Sequence, residues 1–143
     1  MRVRADVTGD KDVLRELVRF HKAGDRVKDV LGTVAAKIAQ QAKTLTPVDE
    51  IDGGDLRDSV RATKPRATKA GAFTASVIAG GPRLEGLLSE RGHKEPGLYA
   101  AVVHEDPTLT HATGQYKFIE TPWLQEAPKV PDMILSELDK ARG

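Results

Sequence analysis

Three histidines, His93, His104 and His111, share one stretch of the chain with the adjacent carboxylates Glu105 and Asp106. Imidazole and carboxylate together raise two chemistries, metal ligation and general-base catalysis. The spacing supports neither, because it is not HExxH and places no ligand pair at i and i+4 on a predicted helix. His104 and Glu105 fall at the end of a predicted strand, where neighbouring side chains point to opposite faces. A structural or interface role suits them better. Asp49, Asp52, Asp55 and Asp58 form a second acidic series. It lacks the closing glutamate and the glycine position of a calcium-binding loop. Ser59 has no GxSxG around it, and Lys64 and Lys69 near Gly71 do not make a GxxxxGK[ST] phosphate loop. No catalytic, cofactor-binding or metal-binding residue is assigned, and no cofactor is expected.

Two sets of cations remain. Arg57, in Asp55-Leu56-Arg57-Asp58-Ser59, has carboxylates within reach and is expected to hold the turn through Asp55 or Asp58; the alternative is a bond to a neighbouring subunit. Arg61, Lys64, Arg66 and Lys69 form a local basic run interrupted by Pro65. Its simplest reading is a solvated hairpin loop. The other is a loop facing DNA or an acidic partner.

Bulk composition narrows the classes. The chain has 143 residues, with 22 Lys+Arg against 21 Asp+Glu and a formal net charge of +1. That length predicts a single domain over 1–143 with room for a core. The charge balance lacks the excess that backbone neutralisation of nucleic acid normally requires. With no cysteine, disulfides and thiolate metal sites are excluded. No apolar run reaches the roughly 18 residues of a membrane span, and the charged N-terminus has no signal-peptide core. A soluble protein made in the cytoplasm, with no membrane partner, is expected. Apolar residues make up 39%, with only one Trp, two Tyr and three Phe. A modest core that leans on neighbouring subunits fits this.

The elements that position these residues are read from periodicity. Val3, Ala5 and Val7 alternate with charged residues, which predicts a short strand, and Asp10 is a candidate N-cap. A helix through about Lys22 carries Val13, Leu14, Leu17, Val18 and Phe20 on one face. Gly24 and Asp25 predict a break and a fresh start. A second helix carries Val27, Val30, Leu31, Val34, Ile38, Ala42 and Leu45 at spacings of three and four. Its alanines Ala35, Ala36, Ala39 and Ala42 leave a thin surface for close packing. Pro47 stops it. Asp52-Gly53-Gly54-Asp55 then supplies turn chemistry. Strands are predicted over Leu56–Thr63, Phe73–Ala79 and Leu98–His104, the last as the sheet's centre because its apolar run is continuous. Residues 83–97 contain glycines and Pro96 and are expected to form an ordered loop. Phe118, Ile119, Trp123 and Leu124 are expected to pack a short terminal segment onto the core. Pro131 suits the first turn of a last helix with Met133, Ile134, Leu135 and Leu138.

Two motifs carry a family resemblance. The first is the alanine-rich helix followed by Thr46-Pro47-Val48-Asp49, a glycine turn with Gly54, and Asp55-Leu56-Arg57-Asp58-Ser59-Val60. The second runs from Tyr99 through His104-Glu105 to His111, Gly114, Gln115, Lys117, Phe118, Glu120 and Pro122. In this order and separation they resemble the small neck proteins of long-tailed double-stranded-DNA bacteriophages, known as head–tail connector, tail-completion or minor capsid proteins. The usual glycine turn is lengthened here by Glu50-Ile51-Asp52-Gly53. The resemblance implies an α+β domain, long N-terminal amphipathic helices packed on a small antiparallel β-sheet, with a C-terminal helix. It also implies a non-catalytic homo-oligomeric ring of six or twelve copies at the head–tail junction of the virion. Expected partners are a portal-side adaptor or head-closure protein and the tail terminator or tail tube, with packaged DNA passing through the lumen without sequence recognition. The expected contacts are the alanine-rich helix against a neighbour's sheet, and residues 83–97 and 105–117 reaching adjacent rings. A tail terminator capping the tube is the alternative within that class; a small DNA- or protein-binding regulatory module is the alternative outside it.

Overall fold

The computed structural model describes residues 11–49, 53–69 and 72–142, with the first side chains of the long helix left aside. The expected strand over Met1–Val7 and the cap at Asp10 lie outside the described residues. Helix α1 spans Lys11–Leu45 and, at 1.5 Å per residue, is about 52 Å long. α2 spans Asp55–Ser59, followed by strands β1 Arg61–Ala62, β2 Arg66–Ala67, β3 Phe73–Thr74 and β4 Val77–Ile78. Helices α3 Pro82–Glu90, α4 Tyr99–Glu105, α5 Glu120–Glu126 and α6 Val130–Arg142 complete the chain. The class is α+β as expected: a long N-terminal helix, a small antiparallel sheet pair and a C-terminal helix.

α1 does not break at Gly24. The helical penalty of a glycine is about 1 kcal/mol, and here the missing side chain is put to use. A Cβ on Gly24 would lie 3.4 Å from Phe73 Cζ, and one on Gly32 would lie 3.1 Å from Pro65 Cγ. A single hairpin made of β1 to β4 therefore lies along α1, with Lys28 Nζ 5.3 Å from the Phe73 ring centroid. The hairpin has two ladders, Arg61↔Ile78 with Ala62↔Val77, and Arg66↔Thr74 with Ala67↔Phe73. The strand expected over Phe73–Ala79 is split between them.

Three other expectations change. Leu56–Ser59 is helical, because Leu56 and Val60 are four apart and both fully buried, a helical spacing that also satisfies alternation. Residues 82–90 form α3, with Pro82 in its first turn and Leu84 and Leu88 buried on one face. Leu98–His104 is not a central strand. Pro96–Leu98 makes a 3-10 turn leading into α4, where only Tyr99 and Val103 are buried. A short continuous apolar run does not separate a strand from a helix.

α1 organises two clusters. Val30, Val34 and Ile38 pack with Val77 of the hairpin and with Val130 and Ile134 of α6. Arg26 and Glu137 pair at 3.2 Å farther along the same contact. Towards its C-terminus, Ala39 and Ala42 pack with Leu56, Val60, Leu84, Leu88, Tyr99, Val103 and Phe118. Ala35 is buried as well. The alanine surface thus serves this chain's own core, and only Ala36 of that set is exposed.

Replacing Gly32 with leucine is expected to lift the hairpin while leaving α1 helical, since overpacking costs about 1–3 kcal/mol. Amide exchange of Thr63, which donates to Ser76 O at 2.7 Å, should accelerate more than that of mid-helix amides. Unchanged Thr63 protection would show that the hairpin does not rest on this contact.

Candidate functional site

The residues of the two motifs meet at the C-terminal end of α1. A helix end leaves carbonyls without intrahelical partners, and donors from three parts of the chain reach carbonyls at this one. Thr46 N–H and Thr46 Oγ1 both donate to Ala42 O, at 2.8 and 2.7 Å. Gln115 N–H reaches back from the distant second motif to Leu45 O at 2.8 Å. Arg57 Nη2 donates to Thr46 O at 3.0 Å. Arg57 therefore holds the turn through a backbone carbonyl, not through Asp55 or Asp58.

Gly114 makes this join possible. Its φ is 86°, and a Cβ there would sit 2.5 Å from Pro47 N. Pro47 itself is fully buried. Beside it, His111 Nδ1 lies 3.1 Å from both oxygens of Asp49, so Nδ1 carries a proton and donates to the carboxylate. Gly54 (φ 91°) precedes α2, and Asp55 pairs with Arg91 at 2.9 Å. Ser59 Oγ donates to Leu56 O at 2.6 Å and accepts from Gly80 N–H at 2.8 Å. It ties α2 to the end of the hairpin and is not placed as a nucleophile.

The rest of the second motif forms a neighbouring cluster. Lys117 N–H donates to His104 O at 2.7 Å, with Lys117 in the left-handed region at φ 57°. Its ammonium joins Glu105, and Glu120 at 2.7 Å. His104 Nδ1 donates to Glu105 at 2.7 Å, while its Nε2 accepts from Glu120 N–H at 3.4 Å. These two bonds specify the neutral tautomer protonated at Nδ1. Because α4 is a helix, His104 and Glu105 do not point to opposite faces of a strand. Phe118 is fully buried against the His104 ring, with centroids 4.9 Å apart, and Pro122 is fully buried too. Tyr99 packs edge-on to His93, with centroids 5.2 Å apart.

The basic run stays apart from this join. Arg61 is used locally, donating to Ser59 O and Gly80 O at 2.8 and 2.9 Å. Lys64, Arg66 and Lys69 are exposed on the hairpin, and no carboxylate among the described residues pairs with them.

Two participants carry no sequence signal. Arg91 belongs to no motif, and Glu126, only 8% exposed at its side chain, takes Lys37 at 3.1 Å and Lys129 at 3.3 Å. Trp123 and Leu124 are not core, at 45% and 64% exposed. Alternation of buried and exposed turns in α5 selects Pro122 and Glu126 instead. The 105–117 segment is pinned to the end of α1 by Gln115, to Asp49 by His111 and to α4 by Lys117, and most of 83–97 is helical. Among the described residues, no helix is long and apolar enough to cross a membrane.

Short elements braced on one long helix, with motif residues spent on joining segments, define a small α+β domain. Residues 11–103 match the HK97-gp10-like family, described as "Bacteriophage HK97-gp10, putative tail-component". The chain belongs to that family, a phage tail-component class that assigns it to the virion. The match covers the first motif and the start of the second, and ends before His111. No curated protein and no solved structure matches the chain.

Two outcomes follow from the join. Gly114→Ala should lose about 2–5 kcal/mol in urea denaturation, through backbone overlap and left-handed strain. Gly92→Ala, at φ 84° with nothing within 4 Å, should lose only about 1–2 kcal/mol. Equal losses would mean that Pro47 yields to the new methyl.

The second outcome concerns pH. The bond from Lys117, then that from His104, holds Glu105 below its ordinary value of 4.5. Bonds to Glu105 and then Glu120 push Lys117 from 10.5 up to about 12. Glu105's contribution is present above 4.5 and is lost as pH falls through its lowered value. That of Lys117 is present below 10.5 and is lost as pH rises through about 12. The Tm deficit of Lys117→Met should therefore be largest between pH 4.5 and 10.5 and shrink outside that range. A deficit independent of pH would assign the effect to packing.

Proposed function

We propose that the chain is a non-catalytic subunit of a homo-oligomeric ring at the phage head–tail junction, acting in head–tail connection or tail completion. The observation that carries this reading is the pairing of family membership with apolar side chains left in water. Leu98 and Val102 on one side of α4, and Trp123 and Leu124 on α5, are all more than two-fifths exposed. A monomer of this size rarely leaves such side chains together without a partner. The motif residues, meanwhile, are occupied in fastening the chain to itself, which supports a scaffold and not a reaction centre.

The partners in this reading are further copies of the chain, a head-closure or portal-side adaptor protein, and the tail terminator or tail tube. Packaged DNA would pass through the lumen without sequence recognition. Lys64, Arg66 and Lys69 on the hairpin suit a phosphate backbone or an acidic neighbour. The family's description as a tail component also favours a second reading, a terminator that caps the tail tube and fixes its length.

Electron microscopy of a lysate in which the gene carries a nonsense mutation separates these. Filled heads beside unattached tails of normal length are expected for a connector. Tails of irregular length would select the terminator, and normal joined particles would overturn both.

A further inference from the structure

We propose that the outer face of the β1 to β4 hairpin is a contact for the phosphate backbone of duplex DNA, made without regard to sequence. The inference rests on the ring reading above and names the part of each copy that meets the packaged DNA.

Charge is segregated along the chain. Residues 59–84 hold five of its 22 cations and none of its 21 carboxylates. Strand pairing then sorts the side chains. Phe73 turns towards Gly24 of α1, and Val77 towards Val30 and Val34. Side chains alternate along a strand, and cross-strand partners share a face. Arg66 with Thr74, and Arg61 with Ile78, therefore face away from the helix, and all four are exposed. Lys64, Lys69 and Ser76 are exposed as well.

Part of this charge is already balanced. Arg61 and Arg83 share a hollow with Asp55 and Asp58. Glu105 and Glu120, in the hollow beside Ile78, hold Lys117. Along α1, Asp29 lines the seam with Lys28 and Lys64, and Asp25 lies 3.9 Å from Lys28. The surplus survives these carboxylates, because Lys28, Lys64, Arg66 and Lys69 stand against Asp25 and Asp29 alone. It is also held in place. Pro65 rests on Gly32 and Phe73 on Gly24, so the cations keep one position on every copy.

The make-up of the face selects its partner. Cations and hydroxyls are the groups that meet phosphate oxygens. Residues 59–84 contain no Asn or Gln with which to read base edges. Their one aromatic residue, Phe73, is turned to α1 with Lys28 over its ring, so no stacking platform is offered to a single strand. A protein partner needs an apolar anchor near the centre of the contact. The one large apolar side chain on this face, Ile78, lies at the α2 end, beside Glu105 and Glu120. A duplex backbone is the anion that this face fits.

Fluorescence anisotropy of short labelled DNA tests this with the full chain. Two duplexes of unrelated sequence should bind alike at low salt, and both more tightly than a single strand. The plot of log K against log salt should slope at about −2 to −3 per chain. Lys64→Gln, Arg66→Gln and Lys69→Gln together should weaken binding at least about tenfold, with circular dichroism unchanged. Lys64→Arg with Lys69→Arg should keep it. Lys22→Gln, Lys43→Gln and Lys94→Gln remove as many exposed cations elsewhere and should cost less than about twofold. Equal losses from the two triple variants would reduce the binding to bulk charge and overturn the inference. No duplex binding at low salt overturns it too, as does tighter binding of the single strand. Capture of polyglutamate through Lys64, Arg66 and Lys69, with no duplex bound, would give the face to an acidic protein. In all these cases the ring reading stands if the nonsense lysate holds filled heads beside unattached tails. The expected duplex binding with normal joined particles in that lysate keeps the DNA contact and overturns the ring.

Discussion

The end of α1 is the constraint on which the rest of this structure depends. Pro47 stops the helix, and its last carbonyls must find donors. Those donors come from Thr46 beside them, from Arg57 on the next helix, and from Gln115 some seventy residues on (about twice the length of α1 itself). One helix end thereby becomes the point where three parts of the chain are tied. The glycine at 114 allows this tie because nothing larger fits against Pro47. Two short motifs far apart in sequence are halves of one joint.

That joint accounts for the small size of the elements around it. With the strands only two residues long and α2 five, none of them is stable by its own hydrogen bonds. α2 is held by the buried Leu56 and the hairpin by the partly buried Val77 against α1, whose alanines at 35, 39 and 42 are themselves buried. Burial of Phe118 and Pro122 fastens the segment that leads into α5. The surfaces left over belong to α4 and α5, which are too short to cover themselves.

How much of this was legible in the sequence depended on the length of each signal. The long run of apolar residues from Val27 to Leu45 gave the helix, its inner face and its stop at Pro47 without ambiguity. Leu56 with Val60, Leu84 with Leu88, and Tyr99 with Val103 are single pairs at a spacing of four. One pair fits a strand or a helix, so periodicity did not decide, and the nearby glycines argued for loops. Gly24 looks like a break from the sequence because its role lies in the contact with Phe73, which no local pattern reveals. Similarly, the motifs marked Arg57, Gly114, Gln115 and Lys117 as a set, but not the carbonyls they meet. Backbone acceptors have no letter in the sequence.

The hairpin's stagger has a consequence of its own. Between the two ladders, Thr63, Lys64 and Pro65 face only Ala75 and Ser76. An extra residue of this kind bends and twists a strand, and Pro65 removes one backbone donor besides. The outer edge is thus irregular and short, a poor template for another strand. A protein destined to be crowded beside many copies of itself runs a standing risk of sheet-to-sheet polymerisation. Here that route is obstructed by backbone geometry, so recognition between copies is left to side chains, whose pairing can be specific and can come to an end.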